Sequence, residues 1–256
     1  APSALKNPAE IGAEMRLFKG PEELGNLRRA VQLTHEGHRA AMAAARPGRM
    51  EYQVQAEMEG VFRSGGSPRL GYASIVGSGA NATILHYVLN HRRLAKGDLL
   101  LIDAGTEFGY YTADITRTFP VSGHFSPAQR AVYEVVLESQ KAGIRKVRPG
   151  ISFQAVHDAS LETLVEGCRR IGLLKGATRK LIKTGAYKRY FMHRTSHWLA
   201  WMCTMREATG NRTGAGGSCG PGWCSRWSRG CTSRPTTGAR RPGSGESGSG
   251  SRTTSW

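Results

Sequence analysis

Two aspartates, Asp103 and Asp114, stand in a stretch patterned as a β-ribbon. The apolar run Leu99–Ile102 ends on Asp103, Gly105 and Gly109 flank a turn, and a second β-rich run from Tyr110 to Phe119 carries Asp114 in its middle. Alternation along that strand puts Asp114, Thr116 and Thr118 on one face and Ile115 and Arg117 on the other. A hairpin of this length brings the two carboxylates close together, where they repel unless they share a proton or hold cations. The plainer alternative is an Asp closing a strand and an unrelated surface Asp. Against it, the apolar lead-in buries Asp103, and a buried carboxylate needs a partner. The pattern favours a metal site.

Histidines supply the other candidate ligands. In His193-Arg-Thr-Ser-His197-Trp-Leu two imidazoles four residues apart would share a helix face, as in zincins. No Glu follows the first, so the zincin mechanism is not encoded, and the pair alone is a weak signal. His86 follows Ile84 and Leu85 in a strand-like run and reads in isolation as structural. His35 and His38 read as surface or packed residues.

The elements that must hold these side chains follow from periodicity. Pro21 opens a helix running to about Ala45 with Leu24, Leu27, Val31, His38 and Met42 on one stripe. Pro47-Gly48 breaks the chain, and a second helix over roughly 50–63 carries Val54, Met58 and Val61. Gly77-Ser-Gly79 is too short for a phosphate loop and reads as a tight turn between strands. Ser126-Pro-Ala-Gln129 is a capping box opening a helix with Val132, Val135, Val136 and Ile144 inward. Ser152 caps another, with Val156, Leu164, Val165, Cys168 and Ile171 buried and Cys168 a core thiol. Helices alternating with β-segments predict an α+β architecture.

Asp103-Ala-Gly105, then Ala113-Asp114-Ile-Thr-Arg-Thr-Phe-Pro120, resembles the metal-binding hairpin of the pita-bread metallopeptidases, above all the aminopeptidase P (Xaa-Pro aminopeptidase) family, with prolidase next. Phe191-Met-His-Arg-Thr-Ser-His-Trp-Leu199 resembles a further motif of that family. The resemblance implies an α+β pita-bread fold, here incomplete, with Asp103, Asp114 and His197 as ligands to a pair of Mn²⁺ ions. It also implies that His86 and His193 line the substrate pocket and stabilise bound peptide and oxyanion. The implied activity is release of the N-terminal residue from peptides with proline second, the metals lowering the pKa of the attacking water. Prolidase activity on Xaa-Pro dipeptides is the nearest alternative. A non-catalytic pita-bread binding module, or a basic-tailed nucleic-acid binder, is the alternative from another class.

Glu14-Met-Arg-Leu-Phe-Lys-Gly-Pro-Glu-Glu-Leu24 resembles the junction where an N-terminal domain meets the catalytic one. Residues 1–20 are therefore expected to be a linker remnant of a missing domain, and 21–199 a partial catalytic domain. That domain contributes to oligomerisation in the family, so a homo-oligomer is open. The formal net charge of +17 would suit nucleic acid, but the excess is spread along the chain without a compact Lys/Arg run, which argues against that partner. The five cysteines contain no C-x-x-C spacing, which excludes a zinc ribbon. With no signal peptide and no membrane-spanning apolar run, a cytoplasmic protein is expected.

Residues 200–256 contain no Ile, Leu, Val, Phe, Tyr, Lys or Asp, yet hold 12 of the 33 glycines, and this tail is expected to be disordered. The family pattern instead needs an Asp-Val-His-Asp segment and two ligand glutamates there. Reading each codon junction as its last base plus the next two restores that pattern. Trp201–Met202 gives Asp, Met202–Cys203 gives Val, Cys203–Thr204 allows only His or Tyr, and Thr204–Met205 allows Asp. Junctions from Gly222 to Thr232 permit Met-Val-Leu-Thr-Val-Glu-Pro-Gly-Leu-Tyr, and those from Ser244 to Thr254 permit Arg-Gly-Ile-Gly-Val-Arg-Ile-Glu-Asp-Asp. A one-base deletion near codon 200 is the hypothesis that accounts for all three. Nucleotide sequencing checks it: the expected result is an open shifted frame encoding Asp-Val-His-Asp, and its absence would end the idea.

Overall fold

Pro21 begins a helix, as the sequence predicts, and the chain is described from a computed structural model that covers Gly12 and residues 15–197, of which 15–17 are already helical. The expectations for the linker before Met15, Gly12 apart, and for the 200–256 tail lie outside the described residues. Helix α1 spans Pro21–Ala44, with Glu22 and Glu23 in its first turn and the Glu23 carboxylate accepting from the Gly20 N–H. Its buried face matches the predicted stripe only in part, with His38 buried and Leu24 and Leu27 half-buried. Val31 and Met42 are exposed, and the inward positions are Ala30, Leu33, Thr34, Gly37, His38, Ala41 and Ala44. Small residues win because α1 lies close against α2 (Glu51–Ser64): a Cβ on Gly37 would sit 2.3 Å from Phe62 Cε1. Val54, Met58 and Phe62 of α2 then fill the main core with Val76, Leu94, Leu100, Ile102, Ala104 and Val121.

That core backs a three-stranded antiparallel sheet of β1 (Ile75–Ser78), β2 (Leu99–Ala104) and β5 (Ile115–Pro120), in the order β1-β2-β5. Among the described residues β1 and β5 are its margins. Strand β2 alternates: Leu100, Ile102 and Ala104 are fully buried against the helices, while Leu99, Leu101 and Asp103 face the other, more open side. Register places Asp103 opposite Ile75 on one flank and Thr116 on the other.

The ribbon between β2 and β5 is more elaborate than a single hairpin. A small hairpin, β3 (Glu107–Phe108) and β4 (Tyr111–Thr112), is inserted, closed by Gly109-Tyr110 with φ of +55° and +68°. Two consecutive positive values are the signature of a tight two-residue hairpin turn. Asp114 therefore sits in the break between β4 and β5, not in mid-strand as predicted. The chain paths nearly touch there: a Cβ on Gly105 would lie 1.7 Å from the Ala113 carbonyl oxygen.

Two further expectations fail locally. Gly77 and Ser78 belong to β1, and the turn begins at Gly79 with a short 3₁₀ segment, Gly79–Thr83. Ile84-Leu-His-Tyr87 is not a strand: His86 and Asn90 have φ of +54° and +49°, and Ile84, Leu85, Val88 and Leu89 are exposed. Apolar content alone misled, since nothing among the described residues covers these side chains.

Beyond the sheet, Ser126 and Gln129 form the expected reciprocal cap on α3 (Pro127–Lys146), and Ser152 Oγ accepts from Ala155 N at the start of α4 (Phe153–Arg170). These helices pack through Val135, Leu164 and Cys168, so the core-thiol reading of Cys168 holds. Val132, Val136 and Ile144 are exposed, since α3 meets α4 along the narrower line of Val135, Ser139 and Gly143. A short α5 (Thr178–Thr184) adds Leu181 to a third cluster with Leu161 and Val165. No helix among the described residues is long and apolar enough to cross a membrane.

Two outcomes follow from this packing. Gly105→Ala should cost about 3 kcal/mol or more in urea unfolding, because backbone and not a yielding side chain blocks the added methyl. His38, 2% exposed, has neither ring nitrogen in a well-formed hydrogen bond, although the Ala104 and Ile115 carbonyls lie near enough to favour its proton slightly. Burial, helped by Arg117, lowers its pKa to about 4. The unfolded chain then binds the proton more readily, so stability from this group is present near pH 7 and is lost as pH falls from about 6.5 towards 4. Between pH 6.5 and 4 the native chain should lose about 3 kcal/mol more of its urea-unfolding stability than His38→Leu does.

Candidate active site

Asp103, at the end of β2, and Asp114, in the β4–β5 break, meet on the open side of the sheet. Both are joined by a group the sequence reading did not single out. The Tyr72 hydroxyl lies 2.5 Å from Asp103 Oδ1 and 3.1 Å from Asp114 Oδ1, a single donor shared between two carboxylates. Tyr72 reaches them because its segment is zipped to the ribbon: Gly71 N donates to the Gly105 carbonyl at 2.8 Å, Leu70 bridges Thr106, and Arg69 pairs with buried Glu107 at 2.6 Å. No side chain fits at Gly71, where a Cβ would stand 2.9 Å from Thr112 Cβ. Burial first, then the charges of Asp103 and Asp114, raise the Tyr72 pKa well above that of a free phenol, so it stays a donor.

The two carboxylates divide in character. Burial raises the pKa of Asp103, and the neighbouring Asp114 charge adds to this, against hydrogen bonds from Tyr72 and Thr116. Asp114 is held below the usual carboxylate range, chiefly by its hydrogen bond with His197, whose Nε2 lies 3.0 Å from Oδ2. A pair of carboxylates joined through one donor settles in this way, one member easier to protonate than the other.

His197 is carried on the irregular segment 191–197, so the helical reading of the His-x-x-x-His pair does not hold. That segment is fastened to the start of α4. His157 Nδ1 lies 2.5 Å from Thr195 Oγ1, its ring stacks on Phe191 at 6.2 Å, and Arg194 donates to Gln154 Oε1 at 2.6 Å. His193 is exposed on the same segment and makes no hydrogen bond or ion pair with either aspartate. His86 is exposed on its turn, close enough to Asp103 for its charge to favour the carboxylate. The structure thus brings Asp103, Asp114 and His197 together, places His86 at their edge, and leaves His193 apart.

Oxygen and imidazole donors of this kind suit a divalent cation. Their number does not: among the described residues no three His, Cys, Asp or Glu side chains are arranged to hold a metal ion. The Oδ1 atoms are engaged by Tyr72 and Asp114 Oδ2 by His197. A resident metal would need further ligands. Tyr72 and His157 escaped the sequence reading because their roles arise from pairings across 31 and 38 residues, for which no local motif exists.

Known proteins bear on this geometry. Residues 25–222 match the model of metallopeptidase family M24, a match that runs past the boundary at residue 199 expected from the sequence. The Xaa-Pro aminopeptidase of Escherichia coli (strain K12) is 45% identical over 199 residues, 78% of this chain and 45% of that protein. Xaa-Pro aminopeptidase 1 of Streptomyces coelicolor is 39% identical over 192 residues, covering 73% and 38%. Among solved structures, E. coli aminopeptidase P in complex with substrate superposes with a TM-score of 0.76 at 44% identity, covering 78% of this chain and 46% of that one. Pseudomonas aeruginosa aminopeptidase PepP gives 0.73 at 44% identity, covering 73% and 42%. The chain spans less than half the length of these relatives. The hairpin carboxylates, the extent of the match and the pita-bread superposition lead to one assignment: this chain belongs to metallopeptidase family M24.

Proposed function

We propose that this chain is part of a metal-dependent aminopeptidase that releases the N-terminal residue from peptides with proline in second position. The carrying observation is the convergence of Asp103, Asp114 and His197 on the open face of the sheet, 3.0 Å separating the last two. Support comes from relatives named Xaa-Pro aminopeptidase at 45% and 44% identity. We assign Mn²⁺ as the cation on the resemblance, and the cytoplasm as the location on the sequence grounds given above.

In this reading Asp103, Asp114 and His197 are metal ligands, and the ligand set is completed by two glutamates whose motifs residues 200–256 do not carry, Glu207 and Glu246 standing in other contexts. Tyr72 fixes the two aspartates relative to each other. His86 stands at the rim near Asp103, placed to hydrogen-bond a peptide carbonyl, and His193 belongs to the substrate side. The incomplete donor set favours one second reading, a pita-bread module that binds peptide without cleaving it.

Release of the N-terminal residue from an Xaa-Pro-Xaa peptide, with and without Mn²⁺, separates these readings. The chain as printed should turn over weakly or not at all, and a chain whose frame is restored by one base near codon 200 should show Mn²⁺-dependent release. A frame-restored chain that folds, binds Mn²⁺ and releases nothing would defeat the peptidase reading, and one that cleaves only Xaa-Pro dipeptides would mark a prolidase. In the restored chain Tyr72→Phe should lower Mn²⁺ affinity or turnover by about 10–100-fold, the range for a group that orients metal ligands. Calorimetric titration with Mn²⁺ measures the first directly.

A further inference from the structure

The turn that carries His86 is held in an unusual manner. Its apolar side chains do not pack: Ile84 is 53% exposed, Leu85 51%, Val88 49% and Leu89 70%. Two buried polar residues fasten it instead. Glu51, fully buried at the start of α2, accepts from Ser78 N at 2.6 Å and Ser78 Oγ at 2.7 Å through one carboxylate oxygen. Its other oxygen accepts from the Tyr87 hydroxyl at 2.8 Å and Arg92 N at 3.0 Å. Asn81 Nδ2 stands over both oxygens at 3.3 and 3.4 Å and donates to the Tyr87 hydroxyl at 2.7 Å. Asn90, 1% exposed, gives the second tie: it accepts from Val76 N at 2.9 Å and donates to Gln55 Oε1 and the Ser74 carbonyl, both at 2.8 Å.

Glu51 therefore gathers the entry (Ser78, Asn81), the middle (Tyr87) and the exit (Arg92) of the turn onto one carboxylate. Tyr87 is the residue next to His86, and its buried ring is the only member of 84–89 drawn into the interior. A buried carboxylate saturated by donors is a rigid and expensive arrangement to break, since removing its acceptor capacity strands several donors at once. An apolar side chain at position 51 would leave Ser78 N, Arg92 N and the Tyr87 hydroxyl without their acceptor, and Tyr87 would no longer be fixed.

We propose that Glu51 is the positioning residue for His86, acting through the Tyr87 hydroxyl to set where the imidazole stands relative to Asp103. The relevance to catalysis rests on the substrate-side assignment of His86; the latch itself does not. Glu51→Gln keeps the shape but points an amide N–H₂ at atoms that are already donors. Tyr87→Phe is the milder test, removing one hydroxyl and leaving the remaining bonds to Glu51.

Two readouts on the full chain test it. The ring C–H cross-peak of His86, identified by its loss in His86→Gln, is followed by heteronuclear NMR, and nicking between Ile84 and Leu89 is followed with thermolysin. Both Glu51→Gln and Tyr87→Phe should move the His86 cross-peak and speed nicking within 84–89 at least tenfold, with α3 and α4 no more easily cut than before. An unmoved cross-peak with unchanged nicking in Tyr87→Phe would overturn the proposal. So would cleavage accelerated equally throughout the molecule, which marks a purely structural Glu51. Neither readout depends on peptide turnover: failure of the peptidase reading would show as an inactive restored chain with the latch intact.

Discussion

The arrangement of this protein turns on two like charges held near each other. Asp103 and Asp114 stand at either end of a ribbon whose paths close up at Gly105 and Ala113, and one hydroxyl, that of Tyr72, donates to both carboxylates. Proximity of this kind raises the energy of the doubly ionised pair unless something positive or a proton lies between them. Within the described residues the Tyr72 hydroxyl donates to both carboxylates, and the His197 imidazole reaches the second oxygen of Asp114. The rest of the fold can be understood as support for these two approaches. The zipped segment 69–72 delivers the phenol, and the start of α4 delivers the irregular segment that ends in the imidazole.

The molecule uses two different means of fixing its parts. The body of the sheet is held by shape: Leu100, Ile102 and Ala104 interleave with Val54, Met58 and Phe62, and small residues on α1 let the helices close. The site, in contrast, is held by directed polar bonds to Glu51, Asn90, Glu107, His157 and Tyr72. Apolar packing tolerates exchanges of similar volume, whereas a saturated carboxylate tolerates almost none. The two means therefore imply different mutational behaviour: forgiving behind the sheet, strict in front of it.

What the sequence made legible follows the same division. Helix starts were readable because Pro21 and the Ser126–Gln129 pair act through neighbours a turn away. The grouping of Asp103, Asp114 and His197 was readable because the two aspartates share one ribbon and a family resemblance linked His197 to them. The α1 stripe was partly misjudged because large apolar residues were assumed to face inward, whereas close helix approach selects Ala30, Gly37 and Ala41. The His86 turn was misjudged because an apolar run was equated with a strand, though its conformation is dictated by distant polar anchors. Tyr72 and His157 act through contacts formed only after the chain has folded back on itself, and no local pattern announces them.

The sheet ends, among the described residues, at β1 on one side and β5 on the other. The outer side of β1 is covered in part, since Val76 N and Ser78 N donate to Asn90 and Glu51, whereas β5 presents hydrogen-bonding groups along a side that no described strand occupies. Natural sheets blunt such rims, since an unguarded one is a template for whatever extended chain arrives first. Here the open rim, β5, belongs to the ribbon that brings the aspartates together, so a strand added to it would run alongside them. Whether this polypeptide stays dispersed at high concentration is thus tied to the same architecture that assembles its chemistry.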